Sequence, residues 1–533
     1  MSRSMSKRRN KDSLKVETKV YKPVKPADMQ VVKKSRPVEW AVWAVLFVGL
    51  WLFLWIVWGD VLYMAQQYSF FAFDKTIMLY VFLQWDYPVL WVGRLMLCLF
   101  HFPVLGAAAL SLCLTACGWL VARILRGTLV GVLLGVVLPI AYVIFIVQQG
   151  FCSYYEAEPG YICGRPLVAL VVLVVLYVVV RAVFKRSASL ATKQSVACIM
   201  VVAVLLVVAA VYTVKTKENY VVTAKMQRAL EDADYEKMIE LALAVEKPAR
   251  SVCAYYIIAL NQTNQIAERA YDIAYQFPDM HIISREGKEI AGTLYYSPDV
   301  DFYAGLVTSS YHEALERCVM DGPTVWRLKR MCQAALVNNE FALAAKLMHI
   351  IKLQPFEGAF IEKYSDFVYG RREVLSDSDF ALVADLRPVR DAFEQAYKQP
   401  LFLGYNSALA EGKSARALIN SILTCMYAKN KHAFMQRVRL LRGRWPRIVQ
   451  EAFLVFNVKD PNVFKDSHID RMTIATMRQF MTDIRPIVKQ DKKEIAAQLR
   501  DKYLGFYPFY YYCENIADEN YTYADAPNTG APR

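Results

Sequence analysis

The amino-acid sequence predicts an all-α protein, in which an N-terminal bundle of five transmembrane helices is followed by a soluble helical-repeat domain. Five long apolar runs lie within the first 214 of the 533 residues. Basic residues alternate at the ends of these runs, as expected for membrane helices with a defined orientation. The remaining residues carry apolar side chains at helical spacing, separated by short polar turns. We therefore expect a transmembrane domain at residues 39–214 and a helical domain at residues 215–516.

Each apolar run is close to the length of about 20 residues that a helix needs to cross the hydrocarbon core. A helix satisfies its own backbone hydrogen bonds, which lipid cannot do. The predicted spans cover residues 40–58, 95–121, 129–147, 167–184 and 196–214. The first run follows a 38-residue tail and lacks a small-residue cleavage site, so we interpret it as an uncleaved anchor.

The basic residues that flank the spans indicate how the protein is oriented. Residues 1–38 contain twelve Lys and Arg against three Asp and Glu, and the connections after the second and fourth spans are also basic. The opposite connections carry fewer cations, namely Lys75, Arg94 and Arg165. The positive-inside rule therefore places the N-terminus in the cytoplasm and everything after residue 214 outside it.

The net charge of +14 arises mainly in the basic tail, residues 1–38, which we expect to be disordered and to orient the first span. Residues 215–533 carry a net charge of only +2, which argues against nucleic acid as a partner. The polar segment 517–533 contains Pro and Gly and is predicted to be a flexible tail. The expected partners are membrane lipid and other envelope proteins.

The helical domain contains segments in which a tight polar turn precedes an amphipathic helix. Examples lie at residues 230–243, around the turn 261–264 and around the turn 338–340. These units resemble tetratricopeptide-type hairpins, although their spacing is irregular. Stacked hairpins form extended concave surfaces, so this pattern favours binding of protein partners over catalysis in a pocket. The inference from stacked hairpins to protein binding is based on an analogy between folds.

The sequence contains none of the common catalytic motifs. It has no phosphate-binding loop, no dinucleotide-binding glycine pattern, no zinc-protease motif and no nucleophile elbow. The six histidines are scattered, and none has a neighbour at ligand spacing. We therefore predict no cofactor and no metal, and an enzyme activity is less favoured than a binding function.

The first outer connection, residues 59–94, is the one region where chemistry is plausible. It is long, aromatic and amphipathic, and we expect it to lie along the outer membrane interface. Asp74 and Asp86 could act as base or metal ligands, and Arg94 could bind a substrate phosphate. This alternative predicts a membrane transferase that acts on lipid-linked glycan. The more common interpretation is that the acids cap short helices and that Arg94 reaches the interface.

Cys152 and Cys163 flank a short outer loop. In an oxidising compartment these two residues could close the loop as a disulfide. The sequence does not decide between a Cys152–Cys163 disulfide and two free thiols.

An aromatic cluster near the C-terminus is a possible docking patch. An exposed cluster of this kind would bind a partner, whereas a buried one would close the last helical hairpin, which is the more common outcome. The cluster consists of Phe506, Tyr507, Phe509 and Tyr510.

Several short motifs are similar to those of a bacterial protein family. They are Gln-Gln-Tyr-Ser-Phe at 66–70, Gly-Arg at 93–94, Phe-His-Phe-Pro-Val-Leu-Gly at 100–106, the segment 334–347, and Pro-Phe-Tyr-Tyr-Tyr-Cys-Glu-Asn at 508–515. The sequence thus resembles, over residues 40–516, an uncharacterised family of multi-pass inner-membrane proteins that carries only a domain-of-unknown-function label. The resemblance implies a helical region outside the membrane and a location in a Gram-negative-type envelope. It implies no activity and no catalytic residue.

Taken with the charges and repeats, these features predict a non-enzymatic inner-membrane protein. Its periplasmic helical-repeat domain would serve as a scaffold for envelope assembly, secretion or polysaccharide export.

Overall fold

The computed structural model is almost entirely helical, which confirms the all-α fold class. Its only described β structure is one antiparallel pair of two-residue strands, β1 (Ile282–Ile283) and β2 (Glu289–Ile290). The structure describes residues 36–75, 87–150, 158–184, 191–275, 282–283, 289–290, 296–387, 414–427, 429–460, 462–463 and 468–514.

Seven helices form the N-terminal part of the described chain. They are α1 (Arg36–Leu52, continued by a π-helical turn at Phe53–Val57), α2 (Gly59–Gln67), α3 (Tyr87–Cys98), α4 (Pro103–Ile124), α5 (Leu129–Gln149), α6 (Tyr161–Val183) and α7 (Thr192–Thr216). Five stretches are long and apolar enough to cross a membrane, and they indicate a membrane protein: Val38–Val57, Pro103–Ile124, Leu129–Gln149, Tyr161–Val183 and Thr192–Thr216.

The second membrane helix begins at Pro103, whereas the sequence places the start of this span at residue 95. A 3-10 turn, Leu99–His101, separates the short helix α3 from α4. Proline disfavours helical backbone in the preceding residue, and Phe102 is accordingly extended, with φ −109° and ψ 93°. The single apolar run is therefore divided into a short helix and a spanning helix.

Helix α4 lies at the centre of the membrane bundle, where it contacts α1, α5 and α6. Helix α7 packs against α1 and α5. The contact between α4 and α5 is close because Gly118 and Gly135 face each other, and a Cβ atom on either would collide with the backbone carbonyl of the other. Small residues are used in this way where membrane helices approach each other closely.

Sixteen helices form the C-terminal region of the described chain. They are α8 (Glu218–Glu231), α9 (Tyr235–Leu243), α10 (Arg250–Gln262), α11 (Ile266–Arg269), α12 (Ser297–Tyr303), α13 (Val307–Asp321), α14 (Val325–Val337), α15 (Phe341–Lys352), α16 (Gly358–Val368), α17 (Ser378–Leu386), α18 (Ala415–Tyr427), α19 (Lys431–Val438), α20 (Arg447–Phe456), α21 (Arg471–Ile484), α22 (Lys492–Tyr503) and α23 (Tyr507–Cys513).

Six turns in this region share one geometry. In each, a residue with positive φ follows the helix, and its N–H group and the next one donate to carbonyls in the last helical turn, as in a Schellman motif. The positive-φ residues are Ala233, Asn264, Gly305, Asn339, Gly370 and Lys429. The first five lie 31, 41, 34 and 31 residues apart along the chain. The region therefore repeats a helix–turn–helix unit, and its assignment to the tetratricopeptide class stays a prediction.

Candidate functional site

The segment from Val61 to Ala72, which follows the first predicted span, is buried within the protein. Helix α2 contacts α3 and α4 on the membrane side and α8 in the helical region. All twelve side chains in this segment are buried. The backbone beyond α2 also joins the two parts, since Val325 N–H donates to the Ser69 carbonyl at 3.2 Å and Phe71 N–H donates to Gln354 Oε1 at 2.7 Å. This segment therefore attaches the helical region to the membrane helices.

A cluster of charged and polar side chains, all buried except the partly exposed Glu231, lies at this attachment, and we name it the junction cluster. It consists of Tyr63, Gln67, Glu231, Lys329 and Glu357. The Lys329 ammonium group pairs with Glu231 and with Glu357, the second pair at 2.6 Å, and donates to Gln67 Oε1 at 3.1 Å. Gln67 Nε2 also donates to Glu357 Oε1 at 3.2 Å, and the Tyr63 hydroxyl donates to Glu231. The cluster links α2, α8, α14 and the turn before α16.

The attraction between Lys329 and Glu231 favours the charged form of both groups, as the shifts of their pKa values show. Burial alone would lower the pKa of Lys329, but the carboxylates of Glu231 and Glu357 outweigh it and raise that pKa above its ordinary value. Burial would likewise raise the pKa of Glu231, but the Lys329 ammonium group reverses the effect and lowers it. Lys329 is thus held between two carboxylates, which is the arrangement of a structural ion-pair network.

A second buried network lies within the helical region. Gln227 of α8 donates to the Tyr255 hydroxyl at 2.9 Å, and that hydroxyl donates to Asp299 Oδ2 at 2.7 Å. Asp299 is fully buried, pairs with Arg330 at 2.8 Å and accepts from the Trp326 indole at 3.1 Å. Helices α8, α10, α12 and α14 are therefore connected through one buried carboxylate.

Of the residues of the predicted transferase site, the structure describes Asp74 and Arg94. Asp74 is half-buried, and Asp86 lies outside the described residues. Arg94 of α3 pairs with Glu158 and donates to the Phe70 carbonyl at 3.4 Å. Arg94 thus links α3 to the segment after α2 and to Glu158.

Cys163 is buried in α6, and Cys152 lies outside the described residues. The disulfide between them stays a prediction.

The C-terminal aromatic cluster is packed inside the helical region. Phe506, Tyr507, Phe509 and Tyr510 are all buried. The Tyr507 hydroxyl donates to the Met426 carbonyl at 2.8 Å, and the Tyr510 hydroxyl donates to a carbonyl of α18 at 2.6 Å. The cluster is therefore packed in the interior, as expected if it closes the last helical hairpin. These side chains would have to leave the interior before they could bind a partner.

An open groove of about 1230 Å³ lies on the surface of the helical region, and we name it the array groove. Its lining includes Arg269 of α11, Asp385 of α17, Arg416 of α18, Arg447 of α20 and Asp470 before α21. Several helix–turn–helix units contribute to one concavity, as expected for stacked hairpins. Its volume exceeds the range of about 300–1,000 Å³ that is usual for small-molecule pockets.

The array groove carries charges of both signs beside apolar side chains. Arg444 forms an ion pair with Asp470 at 2.7 Å, whereas Arg416 donates to an uncharged side chain. Arg416 donates to Asn264 at 3.4 Å through one amino group, and its other amino group has no partner among the described residues. Trp445 lies at the same surface. The groove can therefore accept an extended ligand that has both polar and apolar groups.

The junction cluster was not predicted from the sequence, although one signal was present. Lys329 and Arg330 stand together in α14, a helix in which nearly every side chain is buried. Adjacent cations in a buried helix require carboxylate partners, because a buried unpaired charge is costly. The sequence does not identify those partners.

Comparison with known proteins assigns the chain to a family. A family model with the description "Family of unknown function (DUF6057)" matches residues 34–155 and 127–514. No curated protein and no solved structure matches the chain. The match confirms the resemblance to a family that carries a domain-of-unknown-function label. The chain belongs to this family, DUF6057, whose function is unknown.

Proposed function

We propose that this chain is a non-enzymatic inner-membrane protein whose helical region binds envelope proteins outside the cytoplasm. The array groove is the observation that carries the proposal. It is formed by several helical units, it is larger than a typical small-molecule pocket, and it presents charged and apolar groups together. The basic flanks of the membrane helices support the orientation.

A protein segment suits the array groove better than a nucleic acid or a metal ion does. Its arginines are accompanied by Glu268, Asp272, Asp385 and Asp470, so the surface has no excess of positive charge for a phosphate backbone. Among the described residues no three or more His, Cys, Asp or Glu side chains are arranged to hold a metal ion. A peptide offers charges of both signs and apolar side chains, which match the lining.

Site-specific photocrosslinking in living cells tests the binding surface. A photoreactive amino acid at Ala267 or Ala415, both in the array groove, should give discrete adducts of higher mass. The matched control is Met472, which is 77% exposed on α21 and does not line the groove. Adducts at Met472 alone, or none at the groove positions of a well-expressed protein, would contradict the proposal.

A reporter fusion tests the orientation separately. Alkaline phosphatase is active only after export, so a fusion behind Arg533 should be active. An inactive phosphatase, together with a bright fluorescent reporter that matures only in the cytoplasm, would place the helical region inside the cell.

A further inference from the structure

A second groove lies between the membrane helices. Helix α4 forms its floor with Cys117 and Gly118, while Leu138 of α5 and Leu173 of α6 belong to its two walls. Both α5 and α6 pack against α4, and the space between these two walls is left open. We name this space of about 320 Å³ the intramembrane groove.

One cation stands at the end of the intramembrane groove that lies near the beginning of α6. Arg165 lines this end, and its side chain is exposed. Its guanidinium group lies 5.9 Å from the centre of the Phe145 ring and 5.4 Å from that of Tyr161. No carboxylate among the described residues pairs with it. The two rings position the guanidinium group while its charge stays available to an anion.

The length and chemistry of this groove fit one lipid chain with an anionic head. Eight residues separate Arg165 from Leu173 along α6, which corresponds to about 12 Å at 1.5 Å per residue. The wall between them includes Pro166 and Ala169, so an acyl chain would contact mostly apolar atoms. Basic sites between membrane helices are suited to anionic lipid head groups.

We propose that the intramembrane groove binds one anionic glycerophospholipid, with an acyl chain over Gly118 and the phosphate on Arg165. The positive-inside orientation places Arg165 at the outer leaflet. Arginine is suited to this role because its planar guanidinium group can donate two parallel hydrogen bonds to a phosphate. The proposal does not depend on what binds the array groove, nor on Asp74 or Arg94, neither of which lines this space.

Native mass spectrometry of the full chain in detergent tests the proposal. Equal amounts of phosphatidylglycerol and phosphatidylcholine, with the same acyl chains, are added. The wild type should retain phosphatidylglycerol preferentially. Arg165→Gln should lower that preference about tenfold, the factor expected for loss of a charge-assisted hydrogen bond, and Arg165→Lys should keep most of it. Arg181→Gln, a change of the same type at the other end of α6, should leave it unchanged.

A second variant tests the chain-binding part of the groove. Ala169→Trp places a large ring in the wall and should abolish retention of both lipids while the thermal unfolding midpoint stays near that of the wild type. Equal retention of the two lipids by the wild type would overturn the proposal. So would unchanged phosphatidylglycerol binding in both Arg165→Gln and Ala169→Trp.

Discussion

Replacement of Lys329 by methionine is the most direct test of the junction cluster. Methionine has a stem of similar length, so the packing beside Phe360 is largely kept, while the positive charge is removed. Lys329 is 5% exposed and Glu357 is 3% exposed, so water cannot replace the lost ammonium group. The variant leaves Glu231 and Glu357 as close, unpaired carboxylates.

The expected cost follows from that arrangement. Removing one partner of a buried ion pair destabilises a protein by about 3–5 kcal/mol, because the remaining charge is left without compensation. For a region of this size, each kcal/mol lowers the unfolding midpoint by about 2 °C or somewhat more. We therefore expect Lys329→Met to lower the midpoint by at least about 6 °C near neutral pH.

The effect of Lys329→Met should depend on pH. Without the lysine, the burial that raises the pKa of Glu231 is no longer outweighed by the ammonium group, so the pKa of this carboxyl group rises. The folded variant then binds more protons than its unfolded state does, so its stability increases as the pH falls. In the wild type, the lowered pKa of Glu231 has the opposite effect, because the stability it contributes is lost on acidification. The difference in unfolding midpoint between Lys329→Met and the wild type should therefore become smaller as the pH is lowered from 8 to 5.

A thiol-reactive dye gives a suitable assay in detergent, because Cys332 and several other cysteines are buried and become reactive on unfolding. Lys346→Met, on the exposed face of α15, is the matched control and should change stability by no more than about 0.5 kcal/mol. Adding Glu357→Gln to Lys329→Met should recover part of the loss. A Lys329→Met midpoint within about 2 °C of wild type at every pH would refute the reasoning.

The buried acid Glu451 and the glycine contact between α4 and α5 give two further predictions. Burial raises the pKa of Glu451 to about 8 despite its neighbour Arg447, so the folded state binds the extra proton and stability falls as the pH rises from about 4.5 to 8. In Glu451→Gln, the thermal midpoint should change less between pH 4.5 and pH 8 than in the wild type. An equal change in both proteins would contradict the raised pKa of Glu451. Gly118→Ala should destabilise the membrane bundle because its methyl group would collide with the Gly135 carbonyl, whereas Gly49→Ala would meet only a leucine side chain. Equal thermal midpoints for the two alanine variants would contradict this packing.

The five membrane helices could be predicted from the sequence because a long apolar run has no other stable structure in lipid. The start of the second helix could not be read from hydropathy alone. Its run continues without a charge from residue 95 to residue 121, so only the conformational effect of Pro103 marks the boundary. The apolar composition thus predicts that this segment lies in lipid, whereas the steric effect of Pro103 determines where the helix begins.

The junction cluster was beyond sequence reasoning because its members are far apart along the chain. Lys329 lies 98 residues from Glu231 and 262 residues from Gln67. Hydrophobic periodicity predicts a buried helix at α14, but it does not select among the many acids of the chain. The hairpin turns are different, because each depends on a few consecutive residues. Even so, Ala233 and Lys429 adopt positive φ without a glycine to indicate it.

The junction also limits how the array groove can move relative to the membrane. Helix α7 ends at Thr216 and α8 begins at Glu218, so the helical region follows the last membrane helix almost directly. A single connection of this kind would still allow rotation about the helix axis. The second attachment, through Tyr63 and Gln67 of α2, opposes that rotation because it would separate Gln67 from Lys329 and Tyr63 from Glu231. Two attachments therefore restrict the motion of the helical region relative to the membrane helices. If the envelope protein that we propose for the array groove is anchored in the same membrane, it loses less freedom on binding, and loosening the junction should weaken the binding without altering the groove.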